Sequence, residues 1–179
     1  MPNYAKLPAF SKPYVQVVIE TPRGAAAKLG YDPKARIFEY SHPLPAGITY
    51  PYDWGFIPST LGEDGDPLDG LVIHQAASAP GVVIKCILLG SIRVEQSEDG
   101  EVFRNDRFLL CPHKEDAEDE HEVADGVPQE LKKEIEQFFR ASILNSKKKI
   151  KFKGWQPPEE ALAAIKAGRK AFRRKWGTN

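Results

Sequence analysis

Between residues 43 and 81 the chain is punctuated repeatedly by Pro43, Pro45, Gly47, Pro51, Gly55, Pro58, Gly62, Gly65, Pro67, Pro80 and Gly81. Proline fixes φ and removes a backbone donor, while glycine admits turns that other residues disfavour. The spacing leaves room for short segments, and several segments of the first two thirds carry a strand pattern. Val15, Val17 and Ile19 alternate with Gln16 and Glu20, the period of a half-buried strand. Residues 37–40, 70–74, 82–94 and 103–110 are further strand candidates. Short strands with Gly/Pro corners predict a small barrel or sandwich.

The last third reads as helical. Leu131, Ile135, Phe138 and Phe139 fall on one face of a helix, with Pro128 at its first position after an Asp125-Gly126 turn. Residues 147–153 read as a short strand, since Ile150 and Phe152 alternate. Pro157-Pro158-Glu159-Glu160 opens a second helix whose apolar side is Leu162, Ile165 and Phe172. Arg169, Lys170, Arg173, Arg174 and Lys175 suit its C-terminal dipole. The acidic run at 115–122 has no glycine to shape a metal cage and reads as a solvated loop or helix start.

The chain of 179 residues suits one domain, 1–179. Lys plus Arg is 25 and Asp plus Glu is 25, so a chain built mainly to neutralise nucleic acid is disfavoured. No apolar stretch approaches the ~18 residues of a membrane span. Cys86 and Cys111 lie in apolar runs and read as buried free thiols, with a disulfide as the minor alternative. With no signal-peptide pattern at the start, a cytoplasmic protein is expected.

Asp64-Gly65-Asp66-Pro67-Leu68-Asp69 carries the chemistry. An EF-hand loop needs Gly at its sixth position and Glu at its twelfth; here these are Asp69 and Gln75, so that reading fails. Three hard oxygen donors on a rigid loop suit Mg²⁺ or Mn²⁺, whereas an acidic turn capping its own backbone would use the same residues. On spacing alone both stand. Upstream, Tyr50, Tyr52, Trp54 and Phe56 read either as core or as a wall with a hydroxyl aimed at an anion.

The Asp-Gly-Asp-Pro-Leu-Asp run resembles the signature of the soluble family I inorganic pyrophosphatases. So does the Tyr50-Pro51 to Ile57 segment before it. Residues 18–22, Cys111-Pro112-His113-Lys114, Phe138-Phe139 and Gly154-Trp155 match further landmarks in order, over roughly residues 14–174. The resemblance implies an α+β, mainly β fold: a five-stranded closed OB-type barrel with two flanking C-terminal helices. It implies Mg²⁺-dependent hydrolysis of pyrophosphate to two phosphates, Mn²⁺ being the alternative metal. It implies a homo-oligomer, often a hexamer, with no nucleic-acid or membrane partner.

Carried over by resemblance, Asp64 and Asp69 ligate the metal, and Asp66 sits by the attacking water and takes its proton. Glu20 supports the site through its water shell, Lys28 holds a phosphate oxygen, and Tyr50 orients the carboxylates. The pattern also breaks. His42 stands where an arginine is expected, Trp54 where a second tyrosine is, and Ser142-Ile143 where Tyr-Lys is. Asn105-Asp106-Arg107 replaces Asp-x-Lys, so Arg107 keeps the charge and Asn105 keeps only an oxygen. For the family's preceding Asp, Asp99 and Glu98 are candidates, with Asp106 as a compensating carboxylate. The phosphate side is therefore depleted, which makes weak activity or another phosphoanhydride or phosphate-ester substrate the alternative. A remoter alternative is an OB-type nucleic-acid module using residues 147–153 and the aromatics.

Overall fold

The computed structural model describes residues 3–113 and 127–177. In chain order the strands are β1 (Phe10–Ser11), β2 (Tyr14–Thr21), β3 (Ala27–Asp32), β4 (Ile37–Pro43), β5 (Asp53–Ile57), β6 (Leu68–Val72), β7 (Val83–Glu98), β8 (Glu101–Arg104) and β9 (Arg107–Pro112). Then come helix α1 (Gln129–Ser142), β10 (Lys149–Gln156) and helix α2 (Pro158–Trp176). The ring closes through β2–β5, β5–β6, β6–β9, β9–β7 and β7–β2. Within it, β6–β9 is the parallel pair. A closed five-stranded barrel with two helices is the architecture the resemblance implied. The β3–β4 hairpin forms a separate two-stranded sheet.

β7 is the spine. Its first half pairs with β2 and β9, and its second half with β8 and β10. Inside the barrel, Val15, Val17, Ile19, Ile57, Val72, Phe108 and Leu110 pack with Ala161 and Ile165 of α2. A second cluster joins Leu71, Ile92, Val94 and Leu109 to Ile135, Phe138 and Phe139 of α1. Each such side chain, fully buried, contributes about 1.5–3 kcal/mol.

Several expectations need correction. The predicted strand 103–110 is two strands, because Asp106 turns inward between them and accepts the Val94 N–H (3.1 Å). β3 and β5 escape the strand reading. β3 carries a lysine and a glycine, and β5 is buried at every position, so neither alternates cleanly. The strand expected at 147–153 begins at Lys149 and runs on to Gln156. Pro128 precedes the first turn of α1 rather than opening it. α2 buries Ala161, Ile165 and Gly168, while Leu162 and Phe172 are half-buried. Cys86 is buried and Cys111 half-buried, and both are free thiols. The acidic run and Asp125-Gly126 lie outside the described residues.

Gly55 shows how tight the barrel is. A Cβ there would lie 2.0 Å from the Val18 carbonyl oxygen and 2.9 Å from the Ile19 Cα.

Candidate active site

One cavity of about 770 Å³ opens between the Asp loop, the β3–β4 hairpin, the far half of β7, and the segment joining α1 to β10. Asp64, Asp66 and Asp69 line it together with Lys28, His42, Tyr50, Trp54, Asn105 and Arg107. The chain therefore brings together residues that lie up to 79 positions apart in sequence, Lys28 to Arg107.

The Asp loop is set by its own backbone. Gly62 N–H donates to the Asp66 carbonyl (2.7 Å), Gly65 takes φ +89°, and Asp66 N–H donates to Asp64 Oδ1 (3.1 Å). Leu61 N–H also reaches the Gly168 carbonyl of α2 (3.1 Å), which ties the loop to the helix. Asp66 is exposed, while Asp64 and Asp69 are half-buried. Burial first, then the neighbouring Asp69 and Asp66 charges, push the Asp64 carboxyl above its ordinary range, against the Asp66 N–H.

Asp69, the second residue of β6, sits directly beside Arg107, which opens β9, because the two strands pair in parallel at that register. Their side chains form an ion pair at 2.6 Å. The Arg107 guanidinium also donates to the Asn105 carbonyl (2.7 Å), the Asn105 side chain, and Gln96 Oε1 (3.4 Å). It lies over the rings of Trp54 (5.3 Å) and Phe139 (5.8 Å). This buried cation is thus held by one carboxylate, two amides and two aromatic faces.

Glu20 approaches from β2. Ile19 pairs with Gly55 and Thr21 with Trp54, so the register shifts and leaves Glu20 as the extra residue. A bulge of this kind re-aims a side chain. Glu20 Oε1 accepts the Tyr31 N–H (2.8 Å). Burial, with Asp69 and Asp66 adding to it, raises its carboxyl to about 7 despite that bond and Lys28. Tyr50 is buried against Phe138, and burial plus the Asp69 and Glu20 charges push its phenol up. Lys28 and His42 face each other across β3 and β4. Partial burial, then Lys28 and Lys148, hold His42 below its ordinary value.

Glu20 lies beside the Asp cluster but outside the cavity lining, and two further candidates fall elsewhere. Asp99 sits at φ +49° in the exposed tip between β7 and β8, outside the cavity lining. Asp106 turns away from the cavity and pairs with Arg104. Glu98 does line the cavity, paired with Lys148 at 3.2 Å. Sequence reading missed Gln96, buried beside Asn105, whose Nδ2 donates to it (3.4 Å). The signal was available: Gln96 lies two residues after buried Val94, on the same face of β7. Where the resemblance expects two carboxylates, this strand pair offers two amides. Trp54 Nε1 is buried in the cavity wall without a hydrogen-bond partner.

Among the described residues, no three His, Cys, Asp or Glu side chains converge as a ready metal cage. Asp64, Asp66 and Asp69 form an open arc of hard oxygens instead. Such an arc suits Mg²⁺, which keeps several waters. A cation there would relieve the repulsion that adds to burial in raising Asp64, so the residues fit a hard divalent ion. With Lys28 and Arg107 lining the same cavity, the arc can hold a cation and a small polyanion side by side.

The inorganic pyrophosphatase family model matches residues 17–173. An inorganic pyrophosphatase of Thermus thermophilus is 38% identical over 174 residues, spanning 93% of this chain and 96% of that protein. One from a Nostoc species is 31% identical over 172 residues, spanning 96% and 99%. The crystal structure of inorganic pyrophosphatase from Thermus thermophilus superposes with a TM-score of 0.85 at 33% identity, covering 96% of this chain and 99% of that one. An inorganic pyrophosphatase from Neisseria gonorrhoeae gives 0.81 at 27% identity, covering 95% and 99%. The chain belongs to the inorganic pyrophosphatase family.

Proposed function

We propose that this protein hydrolyses inorganic pyrophosphate to two phosphates with a divalent cation, Mg²⁺ first and Mn²⁺ second. The observation that carries the reading is that Asp64, Asp66 and Asp69 line one cavity with Lys28 and with Arg107, which pairs with Asp69. Asp64 and Asp69 would hold the cation, with Asp66 at its edge. The cation supplies Lewis acidity, acidifying the attacking water and offsetting phosphate charge.

The chain's own groups do the rest. Exposed Asp66 accepts a proton from water as the water oxygen bonds to phosphorus. The bridging P–O bond breaks, and its electron pair leaves with the second phosphate. Lys28 neutralises phosphate oxygens from the β3 side. Arg107, held in place by Gln96 and Asn105, fixes Asp69 and adds positive potential near the same oxygens. Trp54 offers its unpaired N–H to an oxygen acceptor. Tyr50 walls the site, and Glu20 holds a proton or shares one with nearby water.

Phosphate release in millimolar Mg²⁺ tests this, with Asp66→Asn alongside. The variant should fall by about 10²-fold or more, the usual worth of a positioned base. Equal rates at buffer level for both proteins would sink the reading. One observation favours a second reading. Ile143, Ile150 and Phe152 give the cavity an apolar side that pyrophosphate has no use for. An organic phosphoanhydride would use that wall, and faster turnover of such a compound in the same assay would select it.

The protein is further read as a cytoplasmic homo-oligomer. Family membership and exposed Ile37, Tyr40, Val82 and Val83 support self-association. A light-scattering mass equal to one chain would refute it. No described helix is long and apolar enough to cross a membrane.

A further inference from the structure

The corner of the cavity between β7 and β9 carries Gln96 and Asn105 where the resemblance expects two carboxylates, and both line the cavity with Arg107. An amide oxygen can ligate a hard cation, yet it brings no negative charge to offset the ion. Here the amide oxygens are also occupied. Arg107 donates to Gln96 Oε1 (3.4 Å), to the Asn105 side chain and to the Asn105 carbonyl (2.7 Å). Asn105 Nδ2 donates to the same Gln96 Oε1 (3.4 Å).

Among the described residues, the carboxylates nearest in sequence or space are committed elsewhere. Asp69 Oδ2 takes the Arg107 guanidinium at 2.6 Å. Glu98 pairs with Lys148 at 3.2 Å. Asp106 faces Arg104 and the Val94 N–H, outside the lining, and Asp99 lies on the exposed hairpin tip. Arg107 itself is buried, over the faces of Trp54 and Phe139. An arginine keeps its charge at any pH a protein survives, and burial lowers the dielectric around it. A divalent ion entering this corner would meet that charge with no anion to compensate.

We infer that Gln96 and Asn105 set the metal content of this site: the Asp arc loads one divalent cation, and Arg107 stands as a fixed cation where two carboxylates would admit another. The inference rests on reading Asp64, Asp66 and Asp69 as a metal site. It concerns how many ions enter, not whether pyrophosphate is cleaved. With two carboxylates in the corner, the charge there would change as metal is added. With two amides and Arg107, the positive group is a side chain and is present at every metal concentration.

The test counts Mn²⁺ per chain by calorimetric titration of the metal-stripped protein, and reads the electron paramagnetic resonance of the bound ions. Two ions sharing a site lie ~4 Å apart, close enough for their spins to couple. Wild type should bind about one Mn²⁺ per chain, with the spectrum of an isolated ion. Gln96→Asp combined with Asn105→Asp should bind about twice as much and show the coupling. Wild type holding two coupled ions overturns the inference, and so does a double variant that gains none. Should the double variant melt early, Asn105→Asp alone, at the half-buried position, repeats both measurements with the same expectation. If wild type binds its single ion yet releases no phosphate from pyrophosphate, the functional reading falls and the metal count stands. If wild type binds no Mn²⁺, the reading of the Asp arc and this inference fall together.

Discussion

Glu20 carries a cost that can be read as a pH dependence. Its carboxyl titrates near 4.5 when free and near 7 in the fold, chiefly because burial disfavours the charge. Between those values the folded chain keeps a proton that the unfolded chain has lost. Stability from this group is therefore full below pH 4.5 and falls as pH rises toward 7, by about 3 kcal/mol at ~1.36 kcal/mol per pH unit. In metal-free buffer, the wild-type melting temperature should drop between pH 5 and pH 8 relative to Glu20→Gln. Parallel curves would contradict it. Single residues were unevenly legible. Asp64, Asp66 and Asp69 announce themselves through spacing on one rigid loop. Gln96 does not, because a buried glutamine in a strand has no motif of its own. Asp99 misled, because being acidic near the right place says nothing about which way a hairpin tip points.

Register shifts do much of the work among the elements. One in β2 turns Glu20 toward Asp69 and Asp66 behind the cavity wall, and one in β4 leaves Ser41 beside His42 on the cavity rim. Such shifts are nearly invisible in sequence, since the apolar pattern continues on either side. Gly and Pro corners made a barrel or sandwich visible, and the family resemblance selected the barrel. β5 was not, since all five of its residues are buried and no alternation survives. The tight β2–β5 contact makes a sharp prediction. Gly55→Ala would push a methyl into backbone atoms that cannot swing away, so it should destabilise by about 3 kcal/mol or more. Gly65→Ala has open space and meets only the strain of φ +89°, so it should cost about 1 kcal/mol. Urea unfolding of both variants checks the ranking, and equal losses would refute it.

The whole molecule has 25 basic and 25 acidic side chains, yet the charges are not evenly spread. The Asp loop concentrates negative charge that a bound cation would relieve. Ligand linkage then predicts a stability gain of about 2.7 kcal/mol at one hundred times the metal's Kd. For a chain of this size that is about 5–10 °C in Tm. Differential scanning calorimetry with and without Mn²⁺ should show it, and Asp64→Asn with Asp69→Asn should abolish most of the shift. An undiminished shift in that double variant would place the metal elsewhere.

β7 joins the two halves of the molecule, and that sets an order of events during synthesis. Its pairing with β2 links Val18 to Val83, and its pairing with β10 reaches from Ser91 to Gln156. Contacts so distant in sequence close slowly. The carboxylate loop leaves the ribosome early, while β9, the α1–β10 segment and β10 follow long after it. A chain interrupted before residue 149 has its acidic groups but no completed wall to face them. The cavity is therefore a late product of folding, and a stalled or truncated chain has no phosphate chemistry to perform.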